Sequence, residues 1–321
     1  MDQFVNISLI LGGVNFKNIS RRLAAKIARL SFPDLIFRET LWASDNLKKE
    51  INLKQFYWLL LLMLFACATP DTRQNAQQLA NSAGLTKSQM TANGFVLTAY
   101  SRLTKPEQAI NVYIEGDGLA WVSRHQLSAD PTPRNALGLA LAALDPKANV
   151  VYLARPCQFN DFEHMPCASE YWSNKRFAPE VIDALNQVLD NFTHQTHTQK
   201  INLIGYSGGA AVAVLLAERR SDVASLRTVA GNLDHVYVNK IHQVDLTPES
   251  LNAIEVANEI SLIPQLHFVG LQDKVIPKEV ALRFIGQQTS AKCSALIAVQ
   301  ASHYAGWVEQ WQKLLHQPLP C

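Results

Sequence analysis

The sequence predicts an α/β domain with a mostly parallel central sheet and helices on both faces. Two observations carry this. Short apolar runs rich in β-branched residues recur at 110–114, 149–154, 201–206, 265–270 and 294–300, and segments with helical spacing of apolar residues lie between them; strands alternating with helices pair in parallel under two helical layers. The chain has 321 residues, 48% of them hydrophobic, enough to bury one large core.

Taken in order, Phe95 to Tyr100 reads as an edge strand and Ala109 to Ile114 as a buried one, which runs into the glycine-bearing turn Glu115-Gly116-Asp117-Gly118. The proline-braced loop Asp130 to Asn135 leads into a helix at Ala136–Leu144, and Asn149–Ala154 is the next strand. Residues 155–176 are loop-rich and hold Cys157, Cys167, His164, Tyr171, Trp172 and Arg176. This stretch is either a wall of the site or a surface loop braced for stability. Ala178 to Phe192 places Val181, Leu185, Val188, Leu189 and Phe192 at helical spacing. Leu226–Ala230, Gln265–Gly270 and Ser294–Gln300 complete the strands, and a last helix runs to about Leu315. Residues 232–262 are irregular and leave room only for a small cap or none.

The motif at the centre is Gly205-Tyr206-Ser207-Gly208-Gly209, between the strand 201–206 and an Ala/Val/Leu-rich helix. A serine in a sharp strand-to-helix turn needs neighbours without a Cβ, because the two elements approach closely and the backbone is strained. Such a turn lifts the hydroxyl above the sheet, points the helix N-terminus at it and aims the Gly208 N–H where an oxyanion would form. The plainer alternative is a serine that only caps a helix. A second donor is expected after the strand 109–114, as the backbone N–H of Asp117; the competing reading there is a simple β-turn.

Ser207, Asp273 and His303 each fall just after an expected strand, which puts all three at one edge of the sheet. A serine hydroxyl is a poor nucleophile at neutral pH and needs a base; His303 supplies one if Asp273 holds its tautomer. Asp234, after the preceding strand, is the alternative acid. With Gly205–Gly209, Val269-Gly270-Leu271-Gln272-Asp273 and Ser302-His303 in place, residues 93–315 resemble the α/β-hydrolase superfamily, and more narrowly the bacterial envelope lipoproteins of that type. The resemblance implies a serine hydrolase, carboxylesterase-like, that forms an acyl-enzyme on a small ester or related acyl substrate, without a cofactor. A peptidase on the same fold and a binding lipoprotein that keeps the fold without turnover are the competing readings.

The N-terminal region reads separately: 1–66 as a presequence, 67–92 as a lipidated N-terminus and a polar tether or entry helix, and 93–321 as the catalytic domain. The apolar run from Phe56 to Ala66 is too short to span a bilayer, which takes about 20 residues, but suits the core of a secretory signal. Leu64-Phe65-Ala66-Cys67 resembles the bacterial lipobox, which implies lipidation of Cys67 and attachment to an envelope membrane facing the periplasm, the outer membrane being favoured by Ala68. About fifty residues precede this signal, including a basic stretch at 21–30, and the expected translation start lies further along. Of five cysteines, four then remain, an even number suited to an oxidising compartment; Cys157 with Cys167 and Cys293 with Cys321 are the expected pairs. Residues 1–66 carry nine basic against five acidic side chains, so the remainder is slightly acidic and no nucleic-acid partner is expected. The nine histidines show no metal-ligand spacing, and no metal is expected.

Overall fold

The computed structural model describes residues 71–160 and 167–321. The signal-like run, Cys67, the stretch 21–30 and His164 lie outside the described residues.

The described chain starts with helix α1 (Thr72–Ser82), capped by the Asp71 side chain, which accepts from the Arg73 N–H at 2.9 Å. Ala76 and Ala80 are its buried face. Strand β1 (Thr86–Ala92) and strand β2 (Phe95–Leu103) follow as an antiparallel hairpin closed at Ala92 and Phe95. Asn93 and Gly94 make the turn with φ of 45° and 80°, the left-handed pair that a two-residue hairpin requires. Of the tether or entry helix expected over this region, the described part holds a helix, α1, but also the unexpected strand β1, and β2, expected at the edge, is an inner strand with β1 outside it.

The remaining elements are β3 (Ile110–Ile114), a small hairpin of β4 (Trp121–Ser123) and β5 (Gln126–Leu127), α2 (Leu137–Ala143), β6 (Asn149–Leu153), α3 (Pro179–Thr196), β7 (Ile201–Tyr206), α4 (Gly208–Arg219), β8 (Val223–Val229), α5 (His235–His242), β9 (Gln265–Gly270), α6 (Lys278–Gly286), β10 (Ser294–Val299) and α7 (Trp311–Leu315). The main sheet has eight strands in the order β1-β2-β6-β3-β7-β8-β9-β10. From β6 to β10 every pairing is parallel; β2 is antiparallel to both of its neighbours.

Strand side chains alternate between faces, and each face has its own helical cover. On one side Val112, Ile114, Val151, Leu153 and Leu203 pack with α3, α4 and α6; on the other Tyr113, Tyr152, Ile204 and Phe268 pack with α1, α2 and α7. Helix α4 is buried from Gly208 to Ala217. Each Val or Leu it withdraws from water contributes about 1.5–3 kcal/mol. The expected cap region, 232–262, holds only α5 and one short turn of 3₁₀ helix.

Two disulfides are present. Cys157 is joined to Cys167, and Cys293 to Cys321, with Cα atoms 5.6 and 5.0 Å apart. The second ties the last residue to the start of β10. Where the described chain begins, Arg73 donates to the Asp130 carboxylate at 2.6 Å and to the Asn160 carbonyl at 3.0 Å, in loops beyond the C-terminal ends of β3 and β6. The far end of α1 meets Arg102, which donates to the carbonyls of Ala83 and Asp145 near the start of β6. Helix α1 therefore runs from the C-terminal to the N-terminal end of the parallel strands.

Candidate active site

Strand β7 delivers Ser207 into a backbone conformation with φ 52° and ψ −120°. A non-glycine residue there carries about 1–3 kcal/mol of strain. It is held from three directions: the Ser207 N–H donates to the Val229 carbonyl at 2.9 Å, and its carbonyl accepts from Ala210 and Asn232 at 3.1 and 3.0 Å. Glycine at 205 and 209 is a matter of approach. A Cβ on Gly205 would stand 2.4 Å from the Ala210 Cα, and one on Gly209 2.3 Å from the Ile114 carbonyl.

His303 follows β10 and turns back over Ser207. Its Nε2 is 3.0 Å from the serine Oγ, and its Nδ1 is 2.9 Å from Asp273 Oδ2. The Asp273 side chain has no solvent exposure, and its other oxygen accepts from the N–H groups of Val275 and Ile276, each at 2.8 Å. Both carboxylate oxygens are thus fixed, and Nδ1–H is the tautomer that fits. The His303 carbonyl accepts from the Tyr206 hydroxyl at 3.1 Å and from the Trp307 indole at 3.3 Å. Burial pushes the Tyr206 phenol well above its ordinary value, which keeps it a donor. The sequence did not flag this anchoring pair.

The three residues expected to work together are in hydrogen-bonded sequence; Asp234 is not part of it. Its carboxylate accepts from the Tyr237 N–H at 3.1 Å, from Asn252 at 3.0 Å and from Arg283 at 3.0 Å. A cleft of about 640 Å³ lies beside these groups and is lined by none of Ser207, Asp273 and His303. Among the described residues, no group of three metal-ligating side chains converges, and no helix is long and apolar enough to cross a membrane.

The turn after β3 lies against the serine, since a Cβ on Gly116 would be 3.2 Å from the Ser207 Cβ. Glu115 is buried, and burial raises its carboxyl above its ordinary value. It accepts from the N–H groups of Gly116 and Gly138 at 2.9 and 3.2 Å and from the Tyr152 hydroxyl at 3.0 Å. Gln158 donates to the Gly116 carbonyl at 2.9 Å. The turn is therefore rigid, while the N–H groups of Asp117 and Gly208 have no acceptor among the described residues.

The Asp117 carboxylate takes an unexpected place. Arg155 Nη1 reaches its Oδ1 at 3.1 Å, and Arg176 Nε stands 3.8 Å from Oδ2. Both guanidiniums also lie near the Phe177 ring, at 5.1 and 5.3 Å. The described ends of the stretch 155–176 thus bring Arg155 and Arg176 to the turn that lies against Ser207. No spacing rule joins an aspartate after β3 to arginines after β6, so the cluster was not legible in the sequence.

No protein-family model matches the chain, and no curated protein matches it. Solved structures do. The puromycin hydrolase structure aligns with a TM-score of 0.53 at 15% identity, over 72% of this chain and 37% of that one. The esterase Pf2001 of Pyrococcus furiosus aligns at 0.53 and 12% identity, over 73% and 92%. The fold is that of the α/β hydrolases. The acylaminoacyl peptidase of Pyrococcus horikoshii shares it at a TM-score of 0.51 and 11% identity, over 72% of this chain and 40% of that one. At these identities the likeness is one of fold. Within the α/β-hydrolase fold, Ser207, Asp273 and His303 occupy the ends of β7, β9 and β10, where parallel sheets of this kind place their sites.

Proposed function

We propose that the protein is a serine hydrolase, carboxylesterase-like, that forms an acyl-enzyme on an ester or related acyl substrate. The observation that carries the reading is the unbroken chain Ser207 Oγ, His303 imidazole, Asp273 carboxylate, with the serine held at a strained backbone angle.

In this mechanism Ser207 Oγ attacks the acyl carbonyl carbon as His303 Nε2 takes the hydroxyl proton. Asp273 keeps the other ring proton and stabilises the imidazolium. The N–H groups of Asp117 and Gly208 receive the oxyanion, a contribution of about 3 kcal/mol per donor. Collapse breaks the bond to the leaving group, which departs with the proton from His303. Water then loses a proton to His303 and attacks the acyl-enzyme, and the acid is released as the proton returns to Ser207.

The test is covalent labelling with a fluorophosphonate, comparing wild type with Ser207→Ala and locating the adduct by mass spectrometry. Labelling at Ser207 that is lost in the variant is the expected result. A folded protein that takes no label leaves the binding-protein reading in its place.

The proposed setting is the bacterial envelope, with the chain held to a membrane through a lipid on Cys67. The two disulfides support an oxidising compartment. Cys67→Ser should move the protein from the membrane to the soluble fraction; unchanged membrane retention would rule the anchor out.

A further inference from the structure

The two sides of Ser207 differ in charge. Strands β3 and β6 lie on one side of β7, and β8, β9 and β10 on the other. Asp273 and His303 come from the second side. Arg155 and Arg176 come from the first, on the stretch between β6 and α3. A leaving group must face His303 Nε2 to receive its proton. The acyl half of a bound substrate therefore runs the other way, toward Asp117 and the arginines.

Among the described residues, that side holds two guanidiniums against the one carboxylate of Asp117. Arg155 is committed: it is buried, bonds Asp117 Oδ1 at 3.1 Å and also donates to the Arg176 carbonyl. Arg176 is not. The Nε of each arginine is buried without a hydrogen-bond partner, but Arg176 comes no nearer to Asp117 Oδ2 than 3.8 Å and its Nη2 meets Asn239 Oδ1 at 3.4 Å. The other charged groups nearby are occupied. Asp234 is held by Arg283, and Lys175 lies between Glu170 and Glu249 at 3.0 and 3.5 Å. His235, whose ring lies 5.7 Å from Phe177, has its pKa lowered by burial and by Arg176; its Nδ1 meets the Thr247 hydroxyl at 3.0 Å, and its Nε2 is buried without a partner. A wall with this many open polar atoms suits a polar ligand better than an alkyl chain.

Resting on the serine-hydrolase reading, we propose that the acyl group of the substrate carries a carboxylate and that Arg176 receives it. Arginine matches a carboxylate with paired N–H donors. Asp117 neighbours both ends of the path from Arg176 to Gly208, with Oδ2 3.8 Å from Arg176 Nε and Oδ1 2.0 Å from where a Cβ on Gly208 would stand, and a short dicarboxylic acyl group is the class of ligand that suits it.

The experiment compares monoethyl glutarate with ethyl pentanoate, two esters of equal acyl length, using the full-length protein and following acid release. Wild type should favour the glutarate ester by about tenfold or more in kcat/KM, the scale of one charge-assisted hydrogen bond. In Arg176→Met the ratio should fall toward one, and Arg176→Lys should lie between. Because each ratio is taken within one variant, a general loss of activity cancels. A wild type that treats the esters alike, or a preference that survives Arg176→Met, overturns the proposal. A second measurement needs no turnover: calorimetric titration of glutarate into full-length Ser207→Ala, with and without Arg176→Met. Saturable binding lost with Arg176 supports the charge site even if neither ester is cleaved and Ser207 takes no fluorophosphonate, which would count against hydrolysis alone. Where neither ester is cleaved, absence of that binding overturns the proposal.

Discussion

Asp117 Oδ1 stands 2.0 Å from the point that a Cβ on Gly208 would occupy. The carboxylate is thus laid over the first residue of α4, beside the N–H proposed to receive the oxyanion. Gly208→Ala should force Asp117 aside and misplace both donors, lowering kcat by about a hundredfold or more. Gly208→Ala combined with Asp117→Ala should recover much of that loss, since the atoms in conflict are those of the carboxylate. Steady-state kinetics of the two variants checks this, and equal activity in both would refute it.

Arg155 neutralises a charge that would otherwise oppose the transition state. In Arg155→Met the Asp117 carboxylate would face the developing oxyanion at close range, a repulsion of about 3 kcal/mol at an effective dielectric near 20. We expect kcat to fall about a hundredfold, and Asp117→Asn in the same chain to restore most of it by removing the charge while keeping the backbone donor. Failure of the asparagine to rescue a folded Arg155→Met chain would show that the arginine acts through packing.

Acid should destabilise the fold through His267. Its side chain is fully buried between the Thr228 hydroxyl at 2.9 Å and the Phe284 ring at 5.4 Å, and burial lowers its pKa from 6.5 to about 4. The unfolded chain binds the proton first, so stability is complete above pH 6.5 and falls as the pH drops toward 4, by about 3 kcal/mol in all. His235, shifted in the same direction, adds to the trend. Melting temperatures between pH 7 and 4 should fall more steeply for wild type than for His267→Gln; parallel curves would remove His267 from the account.

The disulfide that closes the tail should matter to stability. Cys293 and Cys321 are 28 residues apart, and removing a cross-link of that span costs about 3 to 4 kcal/mol on the chain-entropy model. Urea unfolding of Cys321→Ser should show a clearly lower midpoint, with a slope equal to or steeper than that of wild type because the unfolded chain is less constrained. A midpoint within error of wild type would contradict it.

The order of strands and the positions of Ser207, Asp273 and His303 were legible because parallel strands end where chemistry sits, and each end is marked by a turn a reader can find. Strand β1 was not legible. Its residues, Thr86 to Ala92, are largely polar and mostly exposed, as an edge strand's are, so the apolar signal was absent. The Asn93-Gly94 dipeptide was the available clue. The hairpin of β4 and β5 is three residues on two, too short for periodicity to register. The Asp117, Arg155 and Arg176 cluster depends on which loops fold over one another, information that lies in the sheet order and not in any local spacing.

The path of α1 has a practical consequence for orientation. Because Arg73 binds loops at the C-terminal ends of β3 and β6, whatever precedes Asp71 joins the body at the end that carries Ser207. The chain leaves at the opposite end, where Cys321 is bonded to Cys293 at the start of β10. A support or fusion partner attached after Cys321 would thus present the serine outward.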